Sequence, residues 1–390
     1  MKPTLLLTGA RTPVTLDLAR SLKHHGYRVI GVESLKFPLS KHSRAFSKFY
    51  TIAAPNASLD QFRDDLIRII KKEKVTLIIP TCEEVFHLAR IKRELPCETL
   101  VDSFELLNQL HSKFEFNLLC KKEGLTAPDS FCVKSVDEAR SLLQRLKWDE
   151  YVLKPEFSRF ASNTRILESK NVLPFLTASS LKGGIPWVIQ KYLRGPEYCT
   201  YSLAKAGKLL AHVTYDHEFT AGRGAGICFR AVLKSKVEAW VKAFVEKTNF
   251  TGQVAFDFIE LPDGSVYALE CNPRATSGLH LILRDADFLD ALTGRKSTSG
   301  IVRPNLKEEG QIRLAMLVYG LPSVRSPEHF MRWLKTFFGA REVVFSLQDP
   351  VPFFDQFVSF LTLIAAAQKL KVTPLEVSTR DIEWNGKGTS

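Results

Sequence analysis

Asp257, Glu270 and Asn272, with Arg274 just beyond them, lie in one run, FTGQVAFDFIELPDGSVYALECNPRATSGLH, at residues 250–280. VAFDFIE and SVYALECN read as two short apolar strands, and Pro262, Asp263 and Gly264 as the turn between them. That pairing sets Asp257 opposite Glu270 near one end of a hairpin. Glu270 and Asn272 are two residues apart, so their side chains leave the same face of their strand. Two carboxylates and an amide oxygen on one surface form a hard-oxygen site suited to magnesium. Without a cation the carboxylates repel each other in a low dielectric. The flanking residues are too apolar for a solvated ribbon.

Lys154 ends the apolar strand of YVLKP, directly before a proline. A lysine in such a place needs an anion, and a phosphate would meet it as a point charge. Glu197 follows Gly195–Pro196, a rigid turn that can aim its carboxylate inward. Glu83 and Glu84 follow an apolar strand and are suited to an ammonium group, whereas Arg11, Arg223 and Arg274 are suited to carboxylates. Arg223 stands in FTAGRGAG, residues 219–226, whose three glycines permit mobility and close backbone approach. We expect Arg223 to swing over phosphates or an acceptor carboxylate. His280 follows the hairpin closely, as a candidate to assist amine deprotonation or as a packed histidine.

The elements that must position these residues follow from periodicity. Residues 4–8, 27–32 and 75–80 read as strands, alternating with helices at 14–25 and 59–72. This β-α-β order predicts an open parallel sheet with ligands at the carboxyl ends of its strands. Gly9 is punctuation there, without a full GxGxxG. Residues 106–122 read as one helix closed at Gly124, and 136–146 as another. Strands follow at 151–154 and 187–192, then an antiparallel pair, 198–204 and 208–214, turned at Gly207. A helix at 234–248 leads into the hairpin. Residues 311–318 read as a strand or a short helix, 327–337 as a helix, and 353–370 as a long apolar helix buried against the body or a partner subunit.

The chain has 390 residues, enough for two or three domains. Hydrophobic content of 45% and charged content of 25% are those of a globular protein, and no uninterrupted apolar stretch reads as long enough to cross a bilayer. The first residues read as a buried strand, not a signal peptide. The seven cysteines include no CxxC pair, which fits reduced thiols in a cytoplasmic protein better than disulfides or zinc. The net charge of +12 favours anionic ligands, but the 54 basic residues are scattered and form no nucleic-acid recognition motif.

Taken together, these strings resemble the ATP-grasp superfamily, in its carboxylate–amine ligase form, over roughly the first three-quarters of the chain. ECNPR is the string most like the family's own. The resemblance implies an α/β and α+β protein: an N-terminal parallel-sheet (pre-ATP-grasp) domain, a two-lobed ATP-grasp fold and a C-terminal extension. The boundaries expected are residues 1–105, 106–295 with the small lobe at about 125–187, and 296–390 completing the large lobe or mediating a dimer contact. It also implies roles. Lys113 in HSKFEF and Lys154 would reach the phosphates. Gln190, Lys191, Tyr192 and Leu193 would form the hinge that reads adenine through the backbone, and Glu197 would hold the ribose hydroxyls. Asp257, Glu270 and Asn272 would ligate magnesium, or manganese in its place, and Arg274 would steady the transferred phosphoryl group. One stretch departs from the family pattern. PEFSRFASNTR, after Lys154, has no glycine where the family has a glycine-rich loop, leaving Ser158, Ser162, Asn163 and Thr164 as donors and Arg159 as charge.

The resemblance thus implies ATP-dependent activation of a carboxylate as an acyl phosphate and its coupling to an amine, an amino acid or small peptide being the expected class. The alternatives are a carboxylate kinase or carboxylase using the same cleft, and a non-catalytic ATP-binding regulatory protein. The expected partners are the small-molecule carboxylate and amine substrates, with no specific nucleic acid and no membrane, in a monomer or homodimer.

Overall fold

The computed structural model describes residues 2–158, 163–177, 186–222, 224–295 and 300–386. The N-terminal strands are β1 (Thr4–Leu7), β2 (Arg28–Glu33), β3 (Lys48–Thr51), β4 (Val75–Ile79) and β5 (Glu98–Thr99). They form a wholly parallel sheet in the order β3-β2-β1-β4-β5. Helices α1 (Pro13–His24), α2 (Leu59–Glu73) and α3 (Val85–Ile91) make the crossovers. Local chemistry explains the boundaries. Thr12 caps α1 with Pro13 at its first position, and Ser58 caps α2. Phe62, Leu66, Ile69 and Ile70 of α2 repeat at helical spacing and bury against Leu6, Ile30 and Ile78 of the sheet.

The single helix expected over residues 106–122 is two helices, α4 (Phe104–His111) and α5 (Lys113–Lys122). Ser112 is extended at φ −67°, ψ 118°, and its hydroxyl accepts the Glu115 N–H as the cap of α5. Apolar periodicity runs through the break because both helices pack on the same core, so the pattern alone could not show it.

A second, antiparallel sheet of four strands contains β6 (Ser130–Val133), β7 (Glu150–Pro155), β8 (Arg165–Glu168) and β9 (Trp187–Lys191), ordered β6-β9-β7-β8. Helices α6 (Val136–Arg145) and α7 (Ser169–Phe175) cover it. The largest sheet is ordered β16-β15-β10-β11-β14-β17-β18. It comprises β10 (Glu197–Lys205), β11 (Lys208–Asp216), β14 (Cys228–Val232), β15 (Gly252–Glu260), β16 (Val266–Asn272), β17 (Glu309–Gln311) and β18 (Arg341–Glu342). A two-residue ribbon, β12 (Thr220–Ala221) with β13 (Ala225–Gly226), precedes β14. Helices α8 (Ser235–Thr248) and α9 (Ala286–Leu292) pack on the sheet. Ala206 and Gly207 both have positive φ in the β10–β11 turn, where glycine is tolerated at no steric cost.

The C-terminal part carries the single turn α10 (Arg313–Ala315), then α11 (Pro327–Gly339), α12 (Val351–Leu370) and α13 (Pro374–Val377). Of the two burials expected for α12, the one against the body is corrected: only Pro352 and Ala367 of its 20 residues are buried. No uninterrupted apolar stretch long enough to cross a bilayer is expected, and α12 is interrupted by Asp355, Gln356, Ser359 and Thr362. Even so, among the described residues α12 is long and apolar enough to cross a membrane by length and composition, since Asp355 and Lys369 are its only charged residues.

Candidate active site

The hairpin explains itself by alternation. Phe256, Phe258, Ala268 and Cys271 bury into a core with Phe116, Trp240 and Phe244. The rings of Phe244 and Phe256 lie 4.9 Å apart, and those of Trp240 and Phe258 lie 5.1 Å apart. With one face so committed, the intervening residues point the other way. Asp257 pairs with Glu270 and Ala255 with Asn272, with a register shift after Asp257. The turn is tied by Gly264 N–H to Leu261 O at 2.8 Å, with Gly264 at φ +75°.

Two lysines from separate elements reach this face. Lys113 opens α5, and Lys154 comes from β7. Both are buried, at 6% and 5% exposure. Lys113, which local sequence would leave as an ordinary solvated helix residue, donates to Ser158 O at 2.7 Å and lies 3.7 Å from the Glu270 carboxylate. Lys154 donates to Leu269 O at 3.2 Å. Burial lowers the Lys154 pKa to about 8, with Glu270 and Asp257 opposing the fall and Lys113 adding to it. Glu270 is held below the usual carboxylate range. Burial pushes it up, but Lys113 and Lys154 outweigh that. Asp257 is pushed up, first by burial and then by the charge of Glu270, with which it shares a hydrogen bond.

This charge pattern fits a divalent cation. A carboxylate whose pKa rises beside a second carboxylate lacks positive charge, and the Glu270 side chain is still one-third open to solvent. Among the described residues no three His, Cys, Asp or Glu side chains group for metal binding, so further donors would come from Asn272 or from ligand oxygens. The Asn272 amide oxygen now accepts weakly from Arg274, at 3.3 Å.

Arg274 also donates to Glu83 at 2.9 Å and to Ala275 O at 3.2 Å. It therefore bridges the hairpin to the carboxyl end of β4. Burial opposes its charge, but the Glu83 carboxylate keeps its pKa raised. Glu83 is thus paired with Arg274 and is not left open for an ammonium group. Glu84 turns away too, accepting from the Thr8 hydroxyl and from the Thr81 and Cys82 N–H groups.

Arg11 is corrected more sharply. Its guanidinium pairs with Glu33 and Asp381 and donates to Ser378 O, leaving 4% of the side chain exposed. It does not present to a substrate carboxylate; it clamps a strap, residues 378–386, across the strand ends. Asn56 holds the Arg380 and Glu383 carbonyls. Trp384 packs against Phe104 and His87, lies under Arg90, and donates to Asn108 at 2.7 Å. No local signal in the sequence pointed to this strap, because its partners lie more than 270 residues away. Arg11→Ala would leave Glu33 buried and unpaired. We expect a loss of about 3–5 kcal/mol in unfolding free energy, measured by denaturant titration.

His280 is structural. Its Nδ1 lies 2.7 Å from Asp17, and its ring stacks on Phe229 at 5.0 Å. Burial raises the Asp17 pKa, but His280 and Arg341 outweigh it and bring the value down to about 2 from 3.8. A lowered carboxylate stabilises above its unfolded pKa and loses that stabilisation as pH falls through its folded pKa. Asp17→Asn should therefore cost about 2 kcal/mol near neutral pH. The difference from the parent protein should vanish between about pH 4 and pH 2, which parallel urea titrations would show.

The hinge residues leave the end of β9. Gln190 is buried, with its amide on Ser130 at 2.8 Å. The Lys191 and Tyr192 N–H groups are already taken, by Asp129 O at 2.8 Å and Glu150 O at 3.4 Å. Leu193 follows, half-buried, and Glu197 is exposed at the start of β10. Gly195 is required, since a Cβ there would meet Glu260 O at 1.9 Å. The loop after Lys154 is anchored by Ser112 to Glu156 and by Lys113 to Ser158. Arg159 and Ser162 of that loop, and Arg223, lie outside the described residues.

Residues 110–278 match the family model of the ATP-grasp domain. No curated protein matches the sequence. Among solved structures, N5-carboxyaminoimidazole synthetase from Staphylococcus aureus superposes with a TM-score of 0.62 at 14% identity, over 84% of this chain and 87% of that one. Phosphoribosylamine–glycine ligase from Thermotoga maritima gives 0.59 at 16% identity, over 77% and 78%. L-amino acid ligase from Bacillus licheniformis gives 0.55 at 13%, over 73% and 74%. Residues 110–278 thus match the ATP-grasp domain, and the solved structures share the fold of the chain around it.

Proposed function

We propose that the protein is an ADP-forming ligase that activates a carboxylate with ATP and couples it to an amine, with an amino acid or small peptide as a substrate. The observation that carries this reading is the convergence of Lys113 and Lys154 on the Asp257–Glu270 pair. Two buried ammonium groups facing two carboxylates are arranged to hold polyphosphate on one side and a cation on the other. The names of the structural relatives include amine ligases and a carboxyaminoimidazole synthetase, so the ligase class has more support than any one substrate.

In this reading Lys113 and Lys154 bind the phosphates, with Leu269 O and Ser158 O orienting their ammonium groups. Asp257, Glu270 and Asn272 would hold magnesium, which when bound neutralises charge on the transferred phosphoryl group. Leu193, beyond the occupied amides of Lys191 and Tyr192, supplies backbone for the adenine edge, with Gln190 fixing the strand, and Glu197 meets the ribose. Arg274, fixed by Glu83, faces the oxygens of the acyl phosphate. The substrate carboxylate takes the γ-phosphoryl group and ADP leaves; the amine then attacks the acyl carbonyl carbon, the C–O bond to phosphate breaks, and the amine proton leaves with the phosphate. Alignment and electrostatics carry the rate, and no side-chain nucleophile is needed.

The test is ADP release with magnesium and ATP across a matrix of amino acids and small carboxylic acids, with products identified by mass. Release that requires two substrates, with a product equal to their sum minus water, is the expected result. Release with one acid and no condensed product would instead favour a kinase.

A further inference from the structure

Helix α12 turns the wrong face to water. Its exposed residues include Phe354, Phe357, Val358 and Leu361, at 63, 40, 46 and 65%, spaced as one helical stripe. The Thr362 hydroxyl on the same side is satisfied internally by Val358 O and Ser359 O. Along its 20 residues only Asp355 and Lys369 are charged, and Asp355 is already held by His42 at 3.0 Å. Such a helix needs cover.

Charge says what the cover is. At the start of α12, the loop carrying His42 also presents Lys36, Lys41 and Arg44, with Lys36 and Lys41 each about 5 Å from the Phe37 ring centre. At its other end stand Lys369 and Lys371. The nearby acid Glu376 is engaged by the Thr373 N–H and hydroxyl. Both ends are therefore basic. A two-fold contact between copies centred on α12 would set cation against cation, whether the helices run parallel or antiparallel. An anionic surface meets both ends at once.

We propose that α12 is a membrane-docking helix that lies in the interface of an anionic lipid bilayer. It lies flat and does not cross. Before it, Asp349 is bound to Arg20 and Ser43; after it, Ser378 and Asp381 are bound to Arg11. Both flanks thus return to the same N-terminal sheet domain. In this position the apolar stripe enters the acyl boundary while lysines at each end meet headgroups. The inference departs from the expectation that no membrane is involved, and it does not depend on the proposed chemistry.

The test is flotation of the full chain with vesicles of phosphatidylcholine alone or with phosphatidylserine added. Binding should appear with phosphatidylserine and weaken as salt rises. Phe354→Asp with Leu361→Asp should reduce the floated fraction about tenfold while thermal unfolding shifts little, since both side chains are nearly two-thirds exposed. Lys369→Gln with Lys371→Gln should weaken binding to the anionic vesicles in the same direction. A chain that stays in solution with both vesicle types overturns the proposal. So does a concentration-dependent dimer, seen by sedimentation, that the aspartate pair abolishes without any flotation, because the cover is then a second copy.

Discussion

Glu270→Ala is expected to lower ADP formation by about 10²–10³-fold, the usual cost of removing one electrostatic group from a preorganised transition-state site. The variant should remain folded, because the Glu270 side chain is one-third exposed and fills no core position. The loss has two sources in this geometry. Glu270 offsets both Lys113 and Lys154, so its removal leaves two buried ammonium groups facing each other with only Asp257 nearby. It also removes the carboxylate that stays ionised, leaving the proposed cation site with Asp257, whose pKa had been pushed up. That second effect should relax once Glu270 is gone, since part of the rise comes from the Glu270 charge. Both sources depend on the Glu270 charge, so Glu270→Gln, which keeps the shape and loses the charge, should cost nearly as much. Steady-state ADP release across a magnesium titration is the measurement. A folded Glu270→Ala protein with unchanged turnover would remove the hairpin from the mechanism.

Lys154→Met should be about as costly, and the reason is visible in pH as well as in rate. Burial brings the Lys154 ammonium down to about 8 in the free protein. A lysine must be protonated to hold a phosphate, so kcat/KM for ATP should fall as pH rises through about 8. Bound phosphates favour the charged form, so kcat itself should hold to higher pH. Lys154→Arg keeps its charge throughout. It should lose rate to poor fit yet lack the alkaline fall. An alkaline limb that persists in Lys154→Arg would assign the titration to another group.

Much of this protein is set by local pattern. The parallel sheet could be read from β-α-β periodicity, because strand and helix periods are properties of neighbouring residues and the hydrophobic stripe of α2 needs no distant partner to be seen. The pairing of Asp257 with Glu270 followed from the length of the two strands and the Pro262–Asp263–Gly264 turn. The direction of their side chains followed from the period of two. Lys154 stood out because a lysine at the end of an apolar strand needs an anion.

Tertiary structure alone decided the rest, because long-range electrostatics leave no mark on local sequence. Arg11 and Arg274 are alike as residues, yet one is closed off by Glu33 and Asp381 while the other joins Glu83 to the hairpin. The burial of Lys113 depends on a helix break at Ser112 that the apolar spacing runs through. Trp384, far along the chain, packs beside Phe104 because the strap returns to the N-terminal sheet. The same holds for α12. Its sequence shows that it is apolar, but whether its phenylalanines face a core or the solvent depends on where the body of the protein ends. Burial is a property of the assembled surface, and no window of neighbouring residues contains it.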